Sequence, residues 1–175
     1  EETGLIIPIG KWVVRQACRM SKQIAAIGLG QLQVAINLSP KQFSDPDLVG
    51  SIAAILHEEQ LDPHLLELEL TESLFVDHTE QRISRTLTAL SDLGARLALD
   101  DFGSGYSSRG YLTRLPFDCL KVDRAFVDGI STAPEKRKLL GGIIALSHGL
   151  GMTVVAEGAE LPAEVDVLGG LDCDL

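Results

Sequence analysis

Strand-like and helical segments alternate along almost the whole chain, and no other feature limits the fold so far. Residues 12–27 carry Val13, Ala17, Met20, Ile24 and Ile27 at helical spacing, and Gly28 and Gly30 supply the stop. A short strand over 33–38 runs into Ser39-Pro40. Asp45 and Pro46 read as N-cap and first residue of a helix with Leu48, Ile52, Ile55 and Leu56 on one face. The Asp62-Pro63 turn precedes a strand over 65–70. Ile83, Leu87, Leu90 and Leu93 mark a further helix, with Gly94 where a C′ glycine belongs. A strand over 96–100, a loop rich in Gly and Ser, a strand over 119–122, a helix over 135–150, a strand over 153–156 and a helix starting at 163–168 complete the order. Such alternation predicts βαβ units and a parallel sheet, covered by helices because its strands are apolar on both faces. No linker or low-complexity run divides residues 1–175, so a single domain is expected.

Polar residues recur where these strands finish. Asn37, Glu69 and Asp100 follow one another at intervals of 32 and 31 residues, one βα unit each. Lys121 ends the next strand and Glu157 the one after. In parallel α/β folds the carboxyl ends of the strands share one face, which is where active sites form. A cluster of carboxylates held there needs cations. The donors are oxygens, without His or Cys, which selects Mg²⁺, Mn²⁺ or Ca²⁺ over zinc. The adjacent Asp100 and Asp101 suit a two-metal site, with one carboxylate bridging ions about 3.5–4 Å apart. Metal-assisted phosphoester hydrolysis is the chemistry expected.

Charge sharpens that expectation. With 25 acidic against 15 basic residues, the formal net charge is −10. Non-specific DNA or RNA binding and attraction to an anionic membrane are thereby disfavoured, and a phosphate-bearing ligand needs a cation to bring it in. Cys18, Cys119 and Cys173 form no C-x-x-C pair and fit reduced, structural thiols of a cytoplasmic domain. His57, His64, His78 and His148 follow no ligand spacing and read as surface residues. Trp12 and Phe43 read as packing groups, and Glu135-Lys136-Arg137-Lys138 as a solvated helix start.

Five segments carry a resemblance. They are Ala35-Ile36-Asn37-Leu38-Ser39, Glu69-Leu70-Thr71-Glu72-Ser73, Asp100-Asp101-Phe102-Gly103-Ser104-Gly105-Tyr106-Ser107-Ser108, Leu120-Lys121-Val122-Asp123 and Val154-Val155-Ala156-Glu157-Gly158. In order and spacing the chain resembles the EAL-domain family of cyclic-di-GMP phosphodiesterases. The resemblance implies an α/β fold, a (β/α)₈ TIM-type barrel whose first strand runs antiparallel. It also implies Mg²⁺- or Mn²⁺-dependent opening of cyclic di-GMP to linear pGpG, with two ions. Asn37, Glu69, Asp100 and Asp101 resemble metal ligands, with Asp100 as the bridge. Lys121 is similar to the residue that holds the attacking water, and Glu157 to a second-metal carboxylate and general base. Glu72 resembles the anchor of the loop running through Phe102, Gly103, Ser104, Gly105, Tyr106, Ser107 and Ser108, which the family ties to metal binding and dimerisation.

The family's Glu-Ala-Leu segment lies upstream of Glu1, and its site Gln beyond Leu175, so a barrel clipped at both ends is expected, with about five of its eight strands present. Arg109-Gly110 stands where Leu-Ser is more usual, and Ala159-Glu160-Leu161 where Val-Glu-Thr is commoner. The expected context is a homodimer within a larger signalling protein that carries sensor or diguanylate cyclase domains. Two other readings stand beside the enzyme. One is a degenerate barrel that binds cyclic di-GMP without cleaving it, the other a dimerising module that transmits a signal.

Overall fold

In a computed structural model, residues 4–77, 79–103 and 112–175 are described. They form two compact units, Glu1–Leu97 and Ala98–Leu175. Among the described residues no helix is long and apolar enough to cross a membrane.

The first unit opens with α1 (Ile6–Ala26), which begins six residues before the predicted start. Pro8 sits in its first turn, where amide hydrogens have no partner within the helix, so the ring is tolerated there. The buried face runs through Gly10, Val14, Ala17, Cys18 and Ser21. Trp12, two residues past Gly10, therefore lies on the opposite face and is 61% exposed, contrary to its reading as a packing group. Met20 and Ile27 are exposed as well, whereas Phe43 is buried as expected. After β1 (Val34–Asn37), a 3₁₀ turn at Pro40–Ser44 is fixed by Ser39, whose hydroxyl accepts from the Lys41 amide while its own N–H donates to Gln42 Oε1.

Helix α2 (Leu48–Glu59) starts later than predicted, because Asp45 accepts from the Asp47 amide and Asp45-Pro46-Asp47 closes as a local turn. Leu48, Ile52, Ile55 and Leu56 are its buried face, as predicted. The buried Glu59 carboxylate ties α2 to α1 through Arg19 Nε at 3.0 Å and Arg15 Nη1 at 3.4 Å. Strand β2 (Leu66–Thr71) runs parallel to β1, with Asn37 opposite Glu69. The short α3 (Leu74–Asp77), not expected from the sequence, leads to α4 (Glu80–Asp92). Ile83, Leu87 and Leu90 form the buried face of α4, and Gly94 follows at φ +96°.

The second unit begins within β3 (Arg96–Phe102), whose first two residues belong to the first unit. Strands β4 (Cys119–Val122) and β5 (Thr153–Ala156) stand where predicted, and β3, β4 and β5 are parallel in that order. Leu97, Ala98, Leu99, Leu120 and Val154 are fully buried, as strands covered on both faces require. Between them lie α5 (Arg124–Val127), capped by Asp123, and α6 (Pro134–Gly149). Helix α7 (Pro162–Gly170) follows β5. The chain's last residues lie along β5: the Leu175 amide donates to the Val154 carbonyl, and the Ala156 amide to the Leu175 carbonyl. That is the bonding pattern of a parallel strand.

Candidate active site

Each predicted ligand or catalytic residue falls within the last three residues of a strand or directly after one. Asn37 is the last residue of β1 and Glu69 lies opposite it on β2. Asn37 Nδ2 donates to Glu69 Oε2 at 3.1 Å, and the Leu38 amide donates to the Glu69 carbonyl at 2.9 Å. Glu69 is buried and Asn37 open to solvent, so one neutral amide meets one carboxylate at the edge of a regular ladder. Glu72, just past β2, is also buried, at 3% exposure.

The second unit holds the remaining residues. Leu99 pairs with Leu120, but the next matched pair is Phe102 with Val122. Asp100 and Asp101 thus stand together against Lys121, which makes a β-bulge. Asp101 takes φ +54°, and its amide donates to Asp100 Oδ1 at 2.9 Å. A left-handed conformation is uncommon outside glycine but easier for Asp than for most residues. Gly103, at φ +94°, has Phe126 packed where a side chain would begin, so a larger residue would displace that ring. Phe102 is buried. Ser104, Gly105, Tyr106, Ser107 and Ser108, with Arg109-Gly110 and His78, lie outside the described residues.

Lys121 brings the acidic groups of this unit together. Its Nζ lies 2.5 Å from Glu157 Oε1 and 3.7 Å from Asp100 Oδ1, and its side chain is only 14% exposed. Glu157 follows β5 directly, and its amide donates to the Val122 carbonyl, extending the β4–β5 ladder by one bond. Burial pushes the Asp101 carboxyl above its ordinary range, and the neighbouring charges of Asp100, Asp123 and Glu157 push it further, with Lys121 opposing them in part. Negative charge is therefore in excess around Asp101.

Asp123 belongs to the site as well, although the sequence alone predicts no role for it. It acts on Asp101 and also caps α5, its carboxylate accepting from the Ala125 amide at 2.7 Å. Its position two residues after Lys121 was the available signal. His57, His64 and His148 are exposed, and His148 pairs with Asp174 at 2.8 Å. Cys18 and Cys119 are buried free thiols and Cys173 is a half-buried one.

Among the described residues, no three His, Cys, Asp or Glu side chains converge into a ready-made ion cage. The chemistry of the donors nonetheless fits a hard divalent cation: oxygen atoms only, in an excess of negative charge that Lys121 relieves in part.

Comparison with known proteins agrees in fold and in family. Residues 1–175 match the model of the EAL domain. The signaling protein YkoW of Bacillus subtilis is 43% identical over 174 residues, which are 99% of this chain and 22% of YkoW. The bifunctional diguanylate cyclase/cyclic di-GMP phosphodiesterase MucR of Pseudomonas aeruginosa is 38% identical over 99% of this chain and 25% of its own length. A solved MucR phosphodiesterase in complex with c-di-GMP superposes with TM-score 0.89, at 38% identity, over 99% of this chain and 70% of that one. A manganese/cyclic-di-GMP complex of Klebsiella pneumoniae BlrP1 superposes with TM-score 0.81, at 31% identity, over 96% of this chain and 41% of that one. The chain thus spans about a quarter or less of these two curated relatives. Its α/β architecture of parallel strands and covering helices is that of domains of TIM-barrel type. The chain belongs to the EAL domain family.

Proposed function

We propose that this chain is the phosphodiesterase domain of a larger signalling protein and hydrolyses cyclic di-GMP to linear pGpG with Mg²⁺ or Mn²⁺. The observation that carries the reading is the bulge at Asp100-Asp101, which sets two carboxylates against Lys121, with Glu157 on the same ammonium. Relatives named as cyclic di-GMP phosphodiesterases support it.

Asn37, Glu69, Asp100, Asp101 and Glu157 are the proposed ligands of two ions. When bound, such ions make water a usable nucleophile near neutral pH and neutralise charge on the phosphoryl group. The chain's own residues do the rest. Lys121 orients the attacking water and sets a fixed positive charge beside the oxygen on which negative charge grows. Glu157, bonded to Lys121 yet 42% exposed at its side chain, takes the proton from that water. The new bond forms between the water oxygen and phosphorus. The bond to the ribose 3′ oxygen breaks, that oxygen takes a proton from solvent, and Glu157 returns its proton to solvent. Opening one of the two phosphodiester linkages gives pGpG.

The domain works in the cytoplasm as a homodimer, alongside sensor or diguanylate cyclase domains of the parent protein. Dimerisation is supported by an apolar surface in the second unit lined, among the described residues, by Phe102, Phe126, Leu139 and Leu146, the last two exposed on α6. Glu72 and the loop from Phe102 to Ser108 couple that contact to the ligands.

The test is conversion of cyclic di-GMP by the full-length protein, followed by chromatography. Mg²⁺ or Mn²⁺ should give pGpG, and a chelator should stop the reaction until metal is restored. Tight metal binding without turnover would refute the enzymatic reading and favour a receptor.

A further inference from the structure

Among the described residues the Glu157 side chain pairs with Lys121 and is 42% exposed, so its aim depends on the turn that follows β5. That turn is bound from three sides. The Glu157 amide continues the ladder to Val122. Gly158, at φ +75°, lies against the Arg124 stem, with Cγ 2.7 Å from where a Cβ would be, and Arg124 pairs with Glu160 at 2.8 Å.

The third side is Glu164, at the third position of α7 and 3% exposed. Both of its oxygens are engaged. Oε2 accepts from the Leu161 amide at 3.1 Å and from the Glu160 amide at 3.2 Å, and Oε1 accepts from the Gly129 amide at 3.0 Å. The bond to Leu161 is the reach-back of a capping box and needs nothing beyond the helix. The other two bonds do more. One lies inside the turn that carries Glu157, and the other reaches 35 residues back, to the turn between α5 and α6. Those amides, that of Gly129 first, hold the Glu164 carboxyl below its ordinary range, so it is an anion at neutral pH.

We propose that Glu164 is a positioning residue: by joining the turn after β5 to the turn after α5, it fixes the Glu157 carboxylate against Lys121. This rests on the reading of Glu157 as metal ligand and base. Outer partners of metal-binding carboxylates work in this way, and their loss typically costs about 10–100-fold in metal affinity or activity.

The experiment compares the wild type, E164Q, E164D, E157Q and the E157Q/E164Q double variant in the full-length protein. Mn²⁺ affinity without substrate, cyclic di-GMP turnover and thermal midpoint are measured for each. E164Q should weaken Mn²⁺ binding and turnover by about 10–100-fold. E164D, which keeps the charge with a shorter reach, should recover part of that loss. The double variant should bind Mn²⁺ no worse than E157Q alone, because both changes remove one interaction. Wild-type Mn²⁺ affinity and turnover in E164Q, whatever its melting temperature, would overturn the proposal, as would full additivity in the double variant. If E164Q does not fold, E164D decides by the same criteria. A wild type that neither binds Mn²⁺ nor turns over, or E157Q matching wild type, would instead remove the reading of Glu157, and this inference with it.

Discussion

In the first unit, Asn37 and Glu69 close a regular pair of parallel strands, whereas in the second, Asp100 and Asp101 share one partner across a bulge. A regular register sets one residue opposite another, so the Asn37 amide meets the Glu69 carboxylate and the pair carries a single charge. The bulge sets two carboxylates where the ladder has room for one, and Asp123 and Glu157 add theirs. Asp101 then has three neighbouring carboxylates, Asp100, Asp123 and Glu157, and the one ammonium of Lys121 acting on it. The same sequence signal, an acid near a strand end, gives an amide–carboxylate hydrogen bond in one unit and several acids around one lysine in the other. Such a half-buried excess of negative charge favours a cation.

Substitutions that separate the two clusters follow from this contrast. Asp101→Asn removes a proposed ligand itself and should have the largest effect, a loss of more than about 10³-fold in cyclic di-GMP turnover. Because it also removes like-charge repulsion, the melting temperature of the metal-free protein should hold or rise, which calorimetry checks. A melting temperature that fell sharply would show that the cluster is built for stability instead. Lys121→Met leaves Asp100 and Glu157 without their shared cation, and single-turnover kinetics should show a drop of about 10²–10³-fold.

In the first unit, Asn37→Ala removes a donor from Glu69 and should cost about 0.5–1.5 kcal/mol in urea unfolding. A larger loss of stability there than from any change in the bulge would erase the distinction between the clusters. The smallest effect concerns acid stability. A hydrogen bond from His148, then one from the Val154 amide, holds Asp174 below its ordinary range. Its folded-state pKa is depressed, so its contribution is present above the usual aspartate pKa and is lost as the pH falls through the folded value. Asp174→Asn should flatten the acid limb of a plot of melting temperature against pH and leave the neutral region little changed.

What was legible in the sequence was local. The strands at Cys119–Val122 and Thr153–Ala156 are apolar runs between turn residues, and both stand where their pattern indicated. Gly94 and Pro134 marked the end of α4 and the start of α6 for the same reason. The start of α1 was hidden by Pro8, which reads as a breaker unless its place in the first turn is known. Trp12 was misplaced because an apolar stripe in a sequence does not reveal which face a neighbour covers. The polar strand ends were legible as positions, and the resemblance supplied their proposed roles. The bulge was not legible, since an extra residue exists only relative to a partner strand twenty residues away. Glu164 carried no signal in the sequence for a similar reason: its bond to Gly129 spans 35 residues.

The most direct test of this account is Mn²⁺ titration of the full-length protein followed by calorimetry, wild type against Asp101→Asn. The account predicts two ions per chain in the wild type, and loss of at least one, or about a 10–100-fold weakening, in the variant. An Asp101→Asn protein that binds Mn²⁺ with wild-type stoichiometry and affinity would contradict it.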